Sequence, residues 1–279
     1  DVAEILTAEE DGSDLAMFFA KTAYANKEGS GTAVVNGDTE IAAGYYLVVD
    51  ETTFDPDATG TAGGLALLQQ TKKGTFDIVP KVEAPTVEKK VKDINNSTET
   101  EFSAWQDSAD HDIGDEIPFL LKATLKEIAQ FDKYELVFVD TGCAGLAPDE
   151  DSFKLYIGSE EITTEDAFTV AITGNDFTVT IPDVKALGAE DNSEVSVEYK
   201  ATLTNEAALG SPGNPNEVYL KYSNNPNYTG PYVGTGSNET PETELGKTVK
   251  DKVIVFAYQV DITKLARLDE STTQALSGA

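Results

Sequence analysis

The chain contains one cysteine, one histidine, one methionine and one tryptophan in 279 residues. A single cysteine, Cys143, excludes an internal disulfide framework and any cysteine-rich metal site. A single histidine, His111, excludes a multi-histidine metal centre and leaves no obvious Ser-His-Asp relay. It lies in "SADHDIGDE", and its acidic, turn-like surroundings predict a solvated loop histidine. Basic residues are scarce as well. Twenty Lys and Arg stand against 50 Asp and Glu, for a formal net charge of −30. Such a surface repels polyanions, which argues against nucleic acid or anionic lipid as a partner. No run of eighteen apolar residues is present, so no segment reads as a membrane-spanning helix. Gly-rich phosphate loops, nucleophile elbows and clustered metal ligands are also absent. No cofactor or metal is implied, and an ordinary metabolic enzyme is not expected.

What is present points to a folded β-protein. The length suits two domains or one large one, and 40% of the residues are hydrophobic. The acidic residues are spread along the chain rather than blocked, unlike those of an acidic disordered protein. The sequence opens on Asp rather than Met and carries no signal peptide, so it reads as a processed or engineered piece. Its Thr- and Asn-rich, nearly cysteine-free composition fits an extracellular protein from a lineage that avoids disulfides.

Residues 1–28 are the best helical candidate. "AEILTAEEDGSDLAMFFAKTAYA" has apolar residues near helical spacing, interrupted by Gly-Ser-Asp. Beyond Ala25 the texture changes to short β-runs, with "GYYLVVDET" (44–52), "GLALLQQ" (64–70) and "GTFDIVPKV" (74–82) expected as strands. "PKVEAP", flanked by Pro80 and Pro85, reads as an extended linker. Strands then recur at sandwich-like spacing from "TVEKKV" to "DKVIVFAYQVDITKL", separated by turn signals such as "TGND", "SPGNPN" and "NNPNYTG". The expected fold is mainly β. An N-terminal domain over 1–82, with a helix and a small β-sandwich, precedes a larger sandwich over 83–258. Residues 259–279 read as the start of a further, truncated domain.

Three polar residues take strand positions expected to face a core. Lys89 shares parity with Val87 and Val91, Asp140 with Leu136 and Phe138, and Asn224 with Val218, Leu220 and Tyr222. A buried ammonium or carboxylate costs several kcal/mol unless paired, so these residues should meet one another or reach solvent. One reading is structural: Lys89 snorkels from a strand end, Asp140 caps a turn and Asn224 makes an Asx-turn before Pro226. The other is chemical. Burial favours a neutral, nucleophilic lysine amine and a protonated acid, which can polarise the asparagine carbonyl and pass a proton to departing ammonia. The product is a Lys–Asn isopeptide bond, formed once.

At this point the sequence resembles a known family. "APTVEKKVKD", "DIGDEIPFLLKATL", "YELVFVDTGCAGL", "FTVTIPDVKAL" and "NEVYLKYSNNPNYTG…GKTVKDKVIVFAYQVDITKL" are similar to the isopeptide-forming D2 domain of sortase-assembled backbone (shaft) pilins of Gram-positive bacteria. The resemblance covers roughly residues 44–270. It implies an Ig-like, Cna-type sandwich with a crosslink between Lys89 and Asn224, assisted by Asp140. Asn225 is the alternative partner if the register slips by one. The acid motif reads "DTGCAGL", with Gly142 and Cys143 in place of more usual residues. "FDIVPKVEAP" resembles the pilin motif, with Val79 where tyrosine is usual. Lys81 would then attack the acyl-sortase intermediate of the next subunit. "QVDITKL" resembles the opening strand of a C-terminal Cna-B-type domain, whose lysine, Lys264, has no partner in this chain. "GYYLVVDET" resembles a Cna-B E-box with Glu51 at the acid position.

The expected protein is therefore a structural subunit of an extracellular, cell-wall-anchored pilus and not a turnover enzyme. Its partners would be a class C sortase, neighbouring subunits joined head to tail, and other pilins. A bond from Lys89 to Asn224 would close a loop of about 135 residues, worth roughly 5 kcal/mol on the disulfide loop-entropy scale. One rival is a tip or surface adhesin built from the same modules and binding a host ligand. Another is a secreted carbohydrate-active enzyme, which needs two carboxylates about 5–10 Å apart in an open cleft.

Overall fold

The computed structural model describes residues 13–32, 42–50, 58–71, 83–94, 101–228, 230, 240–258, 265–267 and 273–275. The Gly-Ser-Asp interruption proves to be a helix start. Helix α1 runs Asp14–Ala25 with Ser13 as its N-cap, the Ser13 hydroxyl accepting from Ala16 N at 3.2 Å. The first twelve residues of the expected helix lie outside the described residues, as does the expected strand over 74–82. Strands β1 (Gly44–Val48) and β2 (Leu67–Thr71) form an antiparallel pair, and α1 packs against both.

The rest is a two-sheet sandwich. In chain order its strands are β3 (Thr86–Val91), β4 (Ser108–Asp110), β5 (Glu116–Thr124), β6 (Leu136–Thr141), β7 (Leu146–Pro148), β8 (Lys154–Ile157) and β9 (Glu160–Glu161). They continue with β10 (Thr169–Thr173), β11 (Asp176–Ile181), β12 (Glu194–Leu203), β13 (Asn214–Ser223), β14 (Leu245–Lys247) and β15 (Asp251–Phe256). One sheet has the order β3-β5-β12-β8-β9, with β7 on β12; the other has β10-β11-β6-β13-β15-β4, with β14 on β13. Every pairing is antiparallel except β15 with β4. A final antiparallel pair, β16 (Leu265–Arg267) and β17 (Thr273–Ala275), lies beyond it.

Alternation explains most of the core. Ile117, Phe119, Leu121 and Ala123 of β5, Val195, Val197 and Tyr199 of β12, Leu136 and Phe138 of β6, and Val218, Leu220 and Tyr222 of β13 all face inward. The strands not expected from sequence, β4, β7, β9 and β14, span two or three residues, too few for a periodic signal. Edge strand β3 is pinned by a side chain: Lys89 N donates to Asp251 Oδ2 at 2.7 Å. Among the described residues no helix is long and apolar enough to cross a membrane.

The expectation for His111 is corrected. The residue is buried, its Nε2 sits 2.8 Å from Lys92 O, and its Nδ1 is 3.4 Å from Asp115 Oδ2. It directly follows β4, and its backbone N donates to Phe256 O, which draws the ring under the chain leaving β3. Sheet pairing overrides the polarity of the local sequence.

Candidate functional site

Lys89 has no solvent exposure. It shares the inward parity of Val91 on β3, and its Nζ contacts the carboxylate of Asp140 on β6, in the facing sheet. The same Nζ lies 3.0 Å from the hydroxyl oxygen of Tyr199 on β12. Asn216, near the start of β13, donates from Nδ2 to that oxygen at 2.9 Å. Four strands from both sheets thus deliver an amine, a carboxyl, a phenol and a carboxamide to one water-excluded pocket. An aromatic cage encloses it. The Tyr199 ring stacks on Phe119 (5.2 Å) and Phe153 (5.3 Å) and meets Phe177 edge-on at 4.8 Å.

Burial sets the electrostatics. It lowers the Lys89 pKa below its usual range, against the pull of the Asp140 charge, which favours the ammonium. It raises the Asp140 carboxyl to about 6, against the opposing pull of Lys89. Both shifts favour the neutral pair, a free amine beside a carboxylic acid. Lys89 Nζ also lies 5.6 Å from the Phe119 ring centroid and 5.4 Å from that of Tyr199. Cation–π attraction of about 1–2 kcal/mol is smaller than the several kcal/mol of desolvating an ion. Asp140 Oδ1 and Asn216 Oδ1 are buried acceptors with no hydrogen-bond partner among the described residues. A proton on Asp140 converts one of these acceptors into a donor.

Asn224 is not in this pocket, which corrects the expected trio. Strand β13 runs antiparallel to β6, with Val218 opposite Asp140 and Tyr222 opposite Leu136, so Asn224 lies beyond the far end of that pairing. At about 3.3 Å per residue it is about 20 Å along the chain from the level of Asp140. Its Nδ2 donates to Thr61 Oγ1 at 3.3 Å, and its backbone oxygen accepts from Gly63 N at 2.8 Å. Asn225, the alternative, donates to Glu244 Oε2 at 2.8 Å and is equally remote. The "YSNNPN" segment is instead a cradle for residues 61–66. Tyr222 OH donates to Thr61 O at 2.6 Å, and Asn227 both accepts from Ala66 N (2.8 Å) and donates to Gly64 O (3.0 Å).

Sequence reasoning missed Asn216 and Tyr199, although parity marks both. Asn216 lies two residues before Val218 on the same face, and Tyr199 follows Val195 and Val197. The "DTGCAGL" turn closes tightly after Asp140. A Cβ on Gly142 would lie 2.5 Å from Asn175 O, and one on Gly145 2.4 Å from Ala207 Cα, so both positions need glycine. Lys81, Glu51 and Lys264 lie outside the described residues.

Residues 113–226 match the family described as Gram-positive pilin backbone subunit 2, Cna-B-like domain. A 71-residue stretch is 37% identical to the trypsin-resistant surface T6 protein of Streptococcus pyogenes serotype M6, covering 25% of this chain and 13% of that protein. The solved T6 backbone pilin of serotype M6 Streptococcus pyogenes superposes with a TM-score of 0.57 at 19% identity, covering 86% of this chain and 53% of that one. The chain therefore spans about half the length of that solved relative. Residues 113–226 are thus similar to the Cna-B-like domain of Gram-positive backbone pilins.

Proposed function

We propose that the chain is part of the shaft subunit of a covalently polymerised pilus, internally braced by an amide bond between Lys89 Nζ and Asn216 Cγ. The observation that carries this reading is the shared pocket: a desolvated amine, an acid raised to about 6 and a carboxamide, all buried between the sheets. The free amine attacks Cγ while the Asp140 carboxyl balances the charge that develops. Nitrogen leaves as ammonia, and the new amide leaves no ion to bury. The reaction runs once and does not turn over.

The bond ties β3 in one sheet to β13 in the other and encloses about 127 residues, worth about 5 kcal/mol on the loop-entropy scale. Under tension the chain between the two strands cannot extend, a property suited to a shaft. In this reading residues 1–82 form an N-terminal domain, 83–258 the crosslinked sandwich and 259–279 the start of a further domain. Lys81 is the nucleophile through which a class C sortase joins subunits head to tail, and Lys264 awaits partners outside this chain. The assembled pilus is extracellular and anchored to the cell wall.

Intact-mass spectrometry tests the bond, because closure expels one ammonia, about 17 Da. The native chain should weigh that much less than its sequence, and Asn216→Ala should restore the full mass. A native chain of full mass, or a deficit that persists in Asn216→Ala and vanishes in Asn224→Ala, refutes the Lys89–Asn216 assignment. For the assembly, Lys81→Ala should abolish polymerisation by a pilin-type sortase; continued polymerisation refutes the role of Lys81.

A further inference from the structure

Exchange of one amide for another requires a proton to leave the attacking nitrogen and reach the departing one. Lys89, Asp140, Asn216 and Tyr199 are all at most 2% exposed, so bulk water does not carry it. Asp140 contacts Lys89 Nζ, and its other oxygen has no hydrogen-bond partner among the described residues. Tyr199 touches both nitrogens, its hydroxyl oxygen lying 3.0 Å from Lys89 Nζ and 2.9 Å from Asn216 Nδ2. We propose that Tyr199 is a catalytic residue of the crosslinking reaction, its hydroxyl relaying the proton from Lys89 Nζ to Asn216 Nδ2. This role rests on the Lys89–Asn216 reading.

The step balances without any further reagent. The Nζ lone pair forms the bond to Cγ, and the carbonyl π pair moves onto Oδ1. Nζ is then cationic, and Nδ2, having lost amide resonance, carries a basic lone pair. Tyr199 gives its proton to Nδ2 while its oxygen takes one from Nζ. The Cγ–Nδ2 bond breaks with its electrons on nitrogen, Oδ1 re-forms the carbonyl, and ammonia departs. The phenol ends as it began. Before attack the amide nitrogen is no base, and both nitrogens donate to the phenol. The hydroxyl can donate to Nδ2 only once the intermediate forms, so the interaction favours the transition state over the ground state.

Two features of the surroundings suit the task. The ring is held by Phe119, Phe153 and Phe177, which fixes the hydroxyl between the two nitrogens. Burial, aided by the Asp140 charge, keeps the phenol pKa well above its ordinary value, so the group keeps the proton that it must deliver.

The test follows the mass deficit with time in chain freshly made by cell-free translation and quenched into denaturant at intervals. Tyr199→Phe keeps the stacked ring and removes the hydroxyl, so a folded variant should close about 10²-fold more slowly, the scale of general acid–base catalysis. Fluorotyrosine at position 199, which alters phenol acidity and keeps its shape, should change the rate several-fold. A wild-type rate in folded Tyr199→Phe overturns the relay. If that variant does not fold, an unchanged rate with fluorotyrosine overturns it instead. A wild-type chain that never loses ammonia refutes the crosslink itself, a separate result.

Discussion

Asn216, near the start of strand β13, and Asn224, just past its end, are both buried, and the two are put to different use. Asn216 and Asn224 share parity, burial and an Oδ1 with no hydrogen-bond partner among the described residues. Around Asn216 stand a desolvated lysine, a carboxyl and a phenol from three other strands. Around Asn224 stand backbone groups: it donates from N to Glu244 O, accepts at O from Gly63 N, and turns its side chain to Thr61. One end therefore has the parts of an acyl transfer, and the other clasps an extended segment from the N-terminal part. Residue type and parity locate a buried polar group. What the group does depends on which strand of the facing sheet lies opposite, and that is a matter of topology.

The largest expected effect separates the two ends directly. Asn216→Ala removes the crosslink and its constraint on the unfolded chain, so it should lower unfolding free energy by about 5 kcal/mol. Asn224→Ala leaves the bond intact and costs only its local packing and hydrogen bond, about 1–3 kcal/mol. Denaturant unfolding of both variants, read beside their masses, measures the contrast. Equal losses would show that both ends act structurally.

Much of this architecture is legible in the sequence. The alternating runs of β5, β6, β11 and β12 are long enough for a period of two to emerge, and the same parity places Lys89 and Asp140 in the core. Asn216 is lost because Gly213, Asn214 and Pro215 read as a turn, whereas β13 already begins at Asn214. Pro215 is tolerated there as an exposed residue near the strand start. Asn214 replaces turn contacts by bonding Ala208 N and O and Val255 O. Tyr199 is missed for another reason. A tyrosine among inward valines looks like ordinary core, and only the three-dimensional meeting of Lys89 and Asn216 gives its hydroxyl a role.

At the clasp end, Asn227→Ala should sharpen the contrast from the other side. The substitution leaves Ala66 N and Gly64 O without their side-chain partner, at about 1–3 kcal/mol. Hydrogen exchange should accelerate at residues 63–66 while the mass deficit of the crosslink is unchanged. Exchange that stays slow would show that the segment is held by its neighbours rather than by the asparagine.

The smallest effect per step is one of pH, and only the Asn216 end should respond. Asp140 is raised to about 6 and Lys89 is lowered, so below about 6 the coupled pair carries two protons, as ammonium and carboxylic acid. No amine is then free, and the rate of crosslinking should fall about tenfold for each pH unit below that point. Above it the pair shares one proton, and the form with a neutral amine and a protonated carboxyl can react. The rate should therefore rise through about pH 6 and decline again once the pair loses its last proton. The clasp is built from amides, a threonine, the carboxylates of Asp50 and Glu244, and Tyr222, whose phenol is pushed up to about 12; among the described residues it holds no buried amine beside an acid. Time-resolved mass spectrometry across pH 4–9, with hydrogen-exchange protection of residues 63–66 measured alongside and corrected for intrinsic exchange, tests both halves. A crosslinking rate flat through pH 6, or clasp protection that tracks it, would mean that the two ends of β13 are not chemically distinct.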